Sequence, residues 1–150
     1  MNRNPSTVEL DEDMIGNIPK GSKVLEFACA RGRTAFRLEE MGYRVTAFDI
    51  DPEVIDACRE RNTTVEFLVA DARDLPFPSG SFDACIMNAF MTMMDSPSSR
   101  SRAFNEGKRV LKKGGLLYLA DFLLERNDPD YRKRYEAHQP ITGEYGTFIV

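Results

Sequence analysis

Five short apolar runs punctuate the first 122 residues, and a helical pattern or a turn signal separates each from the next. They occupy residues 23–27 (KVLEF), 44–48 (RVTAF), 65–69 (VEFLV), 82–87 (FDACIM) and 116–122 (LLYLADF). Strands joined through helices cannot pair as hairpins, so they lie parallel, with helices covering both faces of the sheet. The alternation predicts an α/β fold, a doubly wound and mostly parallel sheet, in one domain spanning residues 1–150. LLYLADF reads as the most buried of the five.

The intervening segments carry helix signals. Ala35, Phe36, Leu38 and Met41 form an apolar stripe, and Gly42 suits the turn that follows a helix. Asp51-Pro52 supplies an N-cap and a proline at the first helical position, ahead of Val54, Ile55 and Cys58. Ser96-Pro97 does the same for a helix whose apolar face is Ala103, Phe104, Gly107, Val110 and Leu111. Lys112-Lys113-Gly114-Gly115 reads as the end of that helix, with cations against the negative end of its dipole. Asp128-Pro129 opens a last helix that runs to about residue 137, ahead of Pro140. Residues 147–150 (TFIV) could begin one more strand.

Composition removes several classes of function. The net charge of −4 gives no nucleic-acid footprint, so a nucleic-acid partner is not expected. Cys29, Cys58 and Cys85 are widely spaced and odd in number, and the chain has one histidine, so neither a disulfide framework nor a metal site is expected. The first 14 residues are polar and acidic, unlike a secretory leader, and no apolar run approaches the roughly 18 residues that span a membrane. A cytoplasmic protein with reduced thiols is the expectation.

In a doubly wound sheet, ligands bind beyond the carboxyl ends of the strands, where the strand order reverses. The residues there are 28–32, Asp49-Ile50, Asp71-Ala72, Met87-Asn88 and Asp121. The first of these segments is a strand-to-helix loop with Ala28 and Ala30 where nucleotide loops usually carry glycine; only Gly32 remains. If position 30 requires a positive φ, alanine there stores strain of about 1 kcal/mol.

The ordered set VLEFACARGRTAFRL, VTAFDIDPEVIDACRE, VEFLVADARDLPFPSGSFDACIM and RVLKKGGLLYLADF resembles the class I S-adenosylmethionine-dependent methyltransferases across residues 20–122. The resemblance implies a Rossmann-like fold, S-adenosyl-L-methionine as cofactor, S-adenosyl-L-homocysteine as product, and a small-molecule methyl acceptor. It implies that Glu26 and the backbone at Ala28, Ala30 and Gly32 line the methionine part of the cofactor. Asp49 would take the ribose hydroxyls, Ile50 would pack on the adenine, Asp71 would accept from the adenine amino group, and the Ala72 amide would donate to a ring nitrogen. Asn88, with Met87 and Ala89, would lie near the sulfonium. No residue is assigned as a catalytic acid or base.

The family follows its fifth strand with a helix and an antiparallel strand pair, and the resemblance leads to the expectation that this final hairpin is incomplete here. The fifth strand is then an apolar border, expected to be covered by the tail or by a second copy in a homodimer. The alternative function is a cofactor-binding or interaction module without a full acceptor site. A nicotinamide-dependent oxidoreductase fits less well, because Ala28 and Ala30 interrupt GxGxxG and residues 70–76 (ADARDLP) fit that fold badly.

Overall fold

The computed structural model describes residues 8–122 and 127–142. Its sheet contains β1 (Lys23–Glu26), β2 (Arg44–Asp49), β3 (Glu66–Val69), β4 (Phe82–Asn88) and β5 (Leu111–Ala120), in the order β3-β2-β1-β4-β5. Every pairing is parallel. The expected Rossmann-like sheet is therefore present, and the order reverses between β1 and β4. That crevice is where such a sheet accepts a ligand.

Alternation along the strands sends side chains to two separate cores. Val24, Val45, Ala47 and Ile86 face α2 (Arg33–Glu40) and α3 (Pro52–Arg59), through Ala35, Leu38, Ile55 and Cys58. Leu25, Phe27, Phe48, Cys85 and Met87 face α4 (Pro97–Val110), through Ala103 and Val110. Two of the predicted caps form as hydrogen bonds. The Asp51 side chain accepts from Glu53 N, and the Ser96 hydroxyl accepts from Ser99 N at 3.1 Å.

Three expectations need correction. Lys112–Gly115 does not finish a helix: α4 ends at Val110, and β5 begins at once with an outward bulge. Phe82 pairs with Leu111 but Ala84 with Leu116, so five steps of β5 match two of β4. The left-handed backbone of Gly114, φ +79°, lets the extra residues loop out. Glycine-rich bulges and helix C-caps use the same residues, so the sequence signal served either.

The fifth strand is also not the most buried. Among the described residues it is a border strand, with Leu116 and Leu119 each 47% exposed and only Tyr118 buried. Finally, α5 (Pro129–Thr142) runs past Ala137 and carries Pro140 inside its last turn. So close to the helix end, a proline forfeits a single backbone bond. The strand expected at residues 147–150 lies outside the described residues.

The chain ahead of β1 is tied to the sheet. A short α1 (Glu12–Ile15) is capped by Asp11 and buries Ile15. The Tyr43 hydroxyl donates to the carbonyls of Ile15 and Ile18, each at 2.9 Å. Asn88 Nδ2 donates to Val8 O at 2.8 Å, and the Asp11 amide donates to the Tyr118 hydroxyl at 3.0 Å. Residues 8–11 thus form a strap held by β4 and β5.

Candidate cofactor site

The loop after β1 is more strained than its composition announces. Ala28 and Ala30 have φ of 52° and 46°, and Ala89, just after β4, has 53°. An L-residue with a Cβ pays roughly 1 kcal/mol or more for this region, so such residues persist only where their surroundings fix them. Ala30 is held from both sides. Its amide donates to Asp49 Oδ2 at 2.9 Å, and its carbonyl accepts from the Cys58 thiol at 3.4 Å. Gly32, at φ 81°, follows in the same loop. A Cβ on it would lie 2.7 Å from the Phe36 ring and 3.2 Å from Cys58 Sγ, so glycine is required there.

Asp49 stands at the end of β2, where it also accepts from the Asp51 amide at 3.1 Å. One carboxylate thus organises the loop through Oδ2 and the start of α3 through Oδ1. Each oxygen has a second lone pair for a further donor. Asp71 is bound differently. Arg73 donates to it from Nη2 at 2.7 Å, from Nε at 3.0 Å and from its backbone amide at 2.9 Å. These bonds hold the Asp71 carboxyl down at about 2.

Glu26 is 4% exposed, and its Oε2 has no hydrogen-bond partner. Burial pushes its carboxyl up to about 8; the charge of Asp49 adds to this, and the Ala35 amide opposes it. A buried carboxyl with an unpaired oxygen seeks a proton or a cation.

Ala28, Asp49, Ile50, Asp71 and Ala72 line one groove of about 250 Å³, together with Phe90, Met93 and Met94. Ile50 is 65% exposed and offers an apolar face to whatever lies there. Ala30 joins this set through Asp49, and Glu26 lies buried at the end of β1. Asn88 ends β4 and is not among the residues that line the groove. Its Nδ2 is engaged by the strap, and its Oδ1 is buried without a partner. Asp121, at the end of β5, accepts from Met91 N at 2.8 Å and from the Thr92 hydroxyl at 3.0 Å, and so positions the turn that carries Met93. The residues that sequence reasoning missed are Arg73, Phe90 and the strap. A polar terminus gave no sign of docking, and Arg73 looked like any solvated cation.

A wider basin of about 880 Å³ adjoins the loop, between the strap and α2, lined by Glu12, Arg31, Arg33 and Arg37 among others. Its walls are mostly charged, and none of the strand-end acids reaches it. The smaller groove is the better candidate, because it gathers the ends of β2 and β3 beside the β1 loop.

A family model described as a methyltransferase domain matches residues 25–119, from β1 through β5. The chain belongs to the class I S-adenosylmethionine-dependent methyltransferase family. A solved S-adenosylmethionine-dependent methyltransferase from Methanosarcina mazei superposes with a TM-score of 0.86 at 34% identity, over 95% of this chain and 72% of that one. The tRNA (carboxymethyluridine(34)-5-O)-methyltransferase of Xenopus tropicalis is 32% identical over 143 residues, 92% of this chain and 22% of its own length. The demethylmenaquinone methyltransferase of Renibacterium salmoninarum is 31% identical over 73% of this chain and 45% of its own. The 27-O-demethylrifamycin SV methyltransferase of Amycolatopsis mediterranei is 30% identical over 79% and 46%. This methyltransferase-family chain spans less than half the length of each of these three curated relatives.

Proposed function

We propose that this chain binds S-adenosyl-L-methionine and transfers its methyl group to a small-molecule acceptor, leaving S-adenosyl-L-homocysteine. The observation that carries the reading is the single groove containing Ala28, Asp49, Ile50, Asp71 and Ala72 at the sheet's switch point. The residues fit the cofactor. Asp49 keeps acceptor capacity for two ribose hydroxyls, and exposed Ile50 offers a surface for a purine ring. Asp71 and the Ala72 amide can read the purine edge. The unpaired oxygen of Glu26 suits the ammonium of the methionine end, with the backbone at Ala28, Ala30 and Gly32 alongside.

S-adenosylmethionine supplies, when bound, a methyl carbon already activated by its sulfonium. The chain's own task is then to align the acceptor and exclude water, so no acid or base need be built in. Phe90 and Met93, which line the groove, would border the acceptor's approach, with Asn88 nearby at the end of β4 and tied to the strap.

Small-molecule acceptors are supported by the demethylmenaquinone and rifamycin relatives and by the acidic net charge. A tRNA acceptor is the second reading, favoured by a tRNA methyltransferase that aligns with 92% of this chain. We place the protein in the cytoplasm because its three cysteines are free and buried, as a reducing compartment allows. Among the described residues, no helix is long and apolar enough to cross a membrane.

Calorimetric titration with S-adenosylhomocysteine tests the cofactor directly, with NADH as the control. Labelled methyl transfer to small-molecule extracts and to bulk tRNA separates the two acceptor classes. Cofactor binding with transfer to neither would favour a binding module without an acceptor site.

A further inference from the structure

The segment that follows β3 carries Asp71 and Ala72, yet it has little regular structure of its own. Residues 70–81 contain a lone bridge between Asp71 and Asp74, and the Asp74 amide donates to Asp71 O at 3.0 Å. At its start the Ala70 amide donates to Asp49 O at 3.0 Å; its fixed points beyond Ala72 come from one side of α4. Glu106 Oε2 accepts from the Leu75 amide at 2.7 Å. Arg109 Nη1 donates to Phe77 O at 2.7 Å, and its Nη2 donates to Leu75 O at 3.1 Å. The two side chains also pair with each other, Nε to Oε1 at 2.7 Å and Nη2 to Oε2 at 2.9 Å. The Gly80 amide then donates to Arg109 O at 2.9 Å.

We propose that Glu106 and Arg109 are positioning residues that set where Asp71 and Ala72 stand, and so determine selectivity for the adenine base. This rests on the reading of Asp71 and Ala72 as the purine-edge contacts. The acid and the fork of the guanidinium together satisfy three backbone groups of one short stretch. That stretch lies three residues beyond Ala72 and is sealed by Leu75, which is 4% exposed. The pair is only 17% and 34% exposed, so water screens it less than an ordinary surface ion pair. Glu106 and Arg109 lie at i and i+3 on one helix, so a rigid element carries both. Neither residue lines the groove.

The test compares binding of S-adenosylhomocysteine with S-inosylhomocysteine, in which the purine amino group is replaced by an oxygen. The parent protein should prefer the adenine form, because the inosine ring sets an oxygen against the Asp71 carboxylate and an N–H against the Ala72 amide, acceptor facing acceptor and donor facing donor. Glu106→Ala should weaken S-adenosylhomocysteine binding roughly tenfold, the scale of one charge-assisted bond, and weaken the inosine form far less. The preference should therefore collapse. Arg109→Lys keeps the charge without the fork and should lose most of the preference. Glu106→Gln keeps one acceptor for Leu75 and should retain part of it. These two conservative variants carry the test if Glu106→Ala fails to fold. Equal weakening of both ligands, or an unchanged ratio in all folded variants, would overturn the proposal and leave the pair a purely structural clasp. A parent that binds neither ligand would overturn the cofactor reading itself, and this inference with it.

Discussion

The Ala30 amide lies 2.9 Å from Asp49 Oδ2, so the strained loop after β1 and the acid that ends β2 form one unit. Neither can shift without the other. The carboxylate acts before any ligand arrives, fixing a left-handed alanine whose conformation is otherwise unfavourable.

Asp49→Ala should therefore do two things. Loss of two charge-assisted acceptors, about 1.5–3 kcal/mol each, should weaken S-adenosylhomocysteine binding at least tenfold by calorimetry. Hydrogen exchange at Ala30 should rise as well, since its amide loses its partner. Unchanged affinity would remove Asp49 from the site.

The loop also predicts an inverted response to glycine. Ala→Gly ordinarily costs about 0.4–1 kcal/mol through the unfolded chain. At φ 46° that loss is offset by strain relief of about 1 kcal/mol or more, so Ala30→Gly should melt in urea no earlier than the parent. Gly32→Ala should melt clearly earlier, because its Cβ would meet the Phe36 ring at 2.7 Å.

Glu26 links stability to pH. The folded protein keeps this proton up to about 8, whereas the unfolded chain releases it near 4.5. Stability from this group is thus highest below 4.5, falls as pH rises through that window, and levels off above 8. Glu26→Gln should flatten the decline and be the more stable form at pH 9. Urea midpoints at pH 5, 7 and 9 would reveal it, and parallel curves for the two proteins would refute it.

The sheet was legible in the sequence because each strand is short, apolar and set off by turn or cap residues. Asp49, Asp71 and the alanine loop could be read for the same reason, as residues placed just after a strand. What escaped is long-range or ambiguous. The bond from Asn88 to Val8 crosses 80 residues and involves a polar terminus with no pattern to announce it. The grip of Arg73 on Asp71 depends on side-chain direction in a segment without regular structure. Lys112–Gly115 carries the marks of a helix end and of a bulge alike, and only pairing with β4 decides between them.

The border strand predicts self-association. With Leu116 and Leu119 each about half exposed on β5, the intact chain should sediment as a dimer, and Leu119→Lys should shift it toward monomer. A monomer in both cases would mean that the edge is protected within one chain.

The strap sets an order of events during synthesis. Val8 and Asp11 are made ahead of β1, but their anchors Asn88 and Tyr118 follow 80 and 107 residues later. The central strand β1 likewise waits for β4, which begins 59 residues after β1 does. The half built from β1, β2 and β3 can gather its helices as it emerges, whereas the cleft at the β1–β4 boundary has no second wall until β4 follows. Residues 8–11 must therefore wait for Tyr118 even though Ile15 and Ile18 can dock on Tyr43 much sooner, so one short segment is secured in two separate stages.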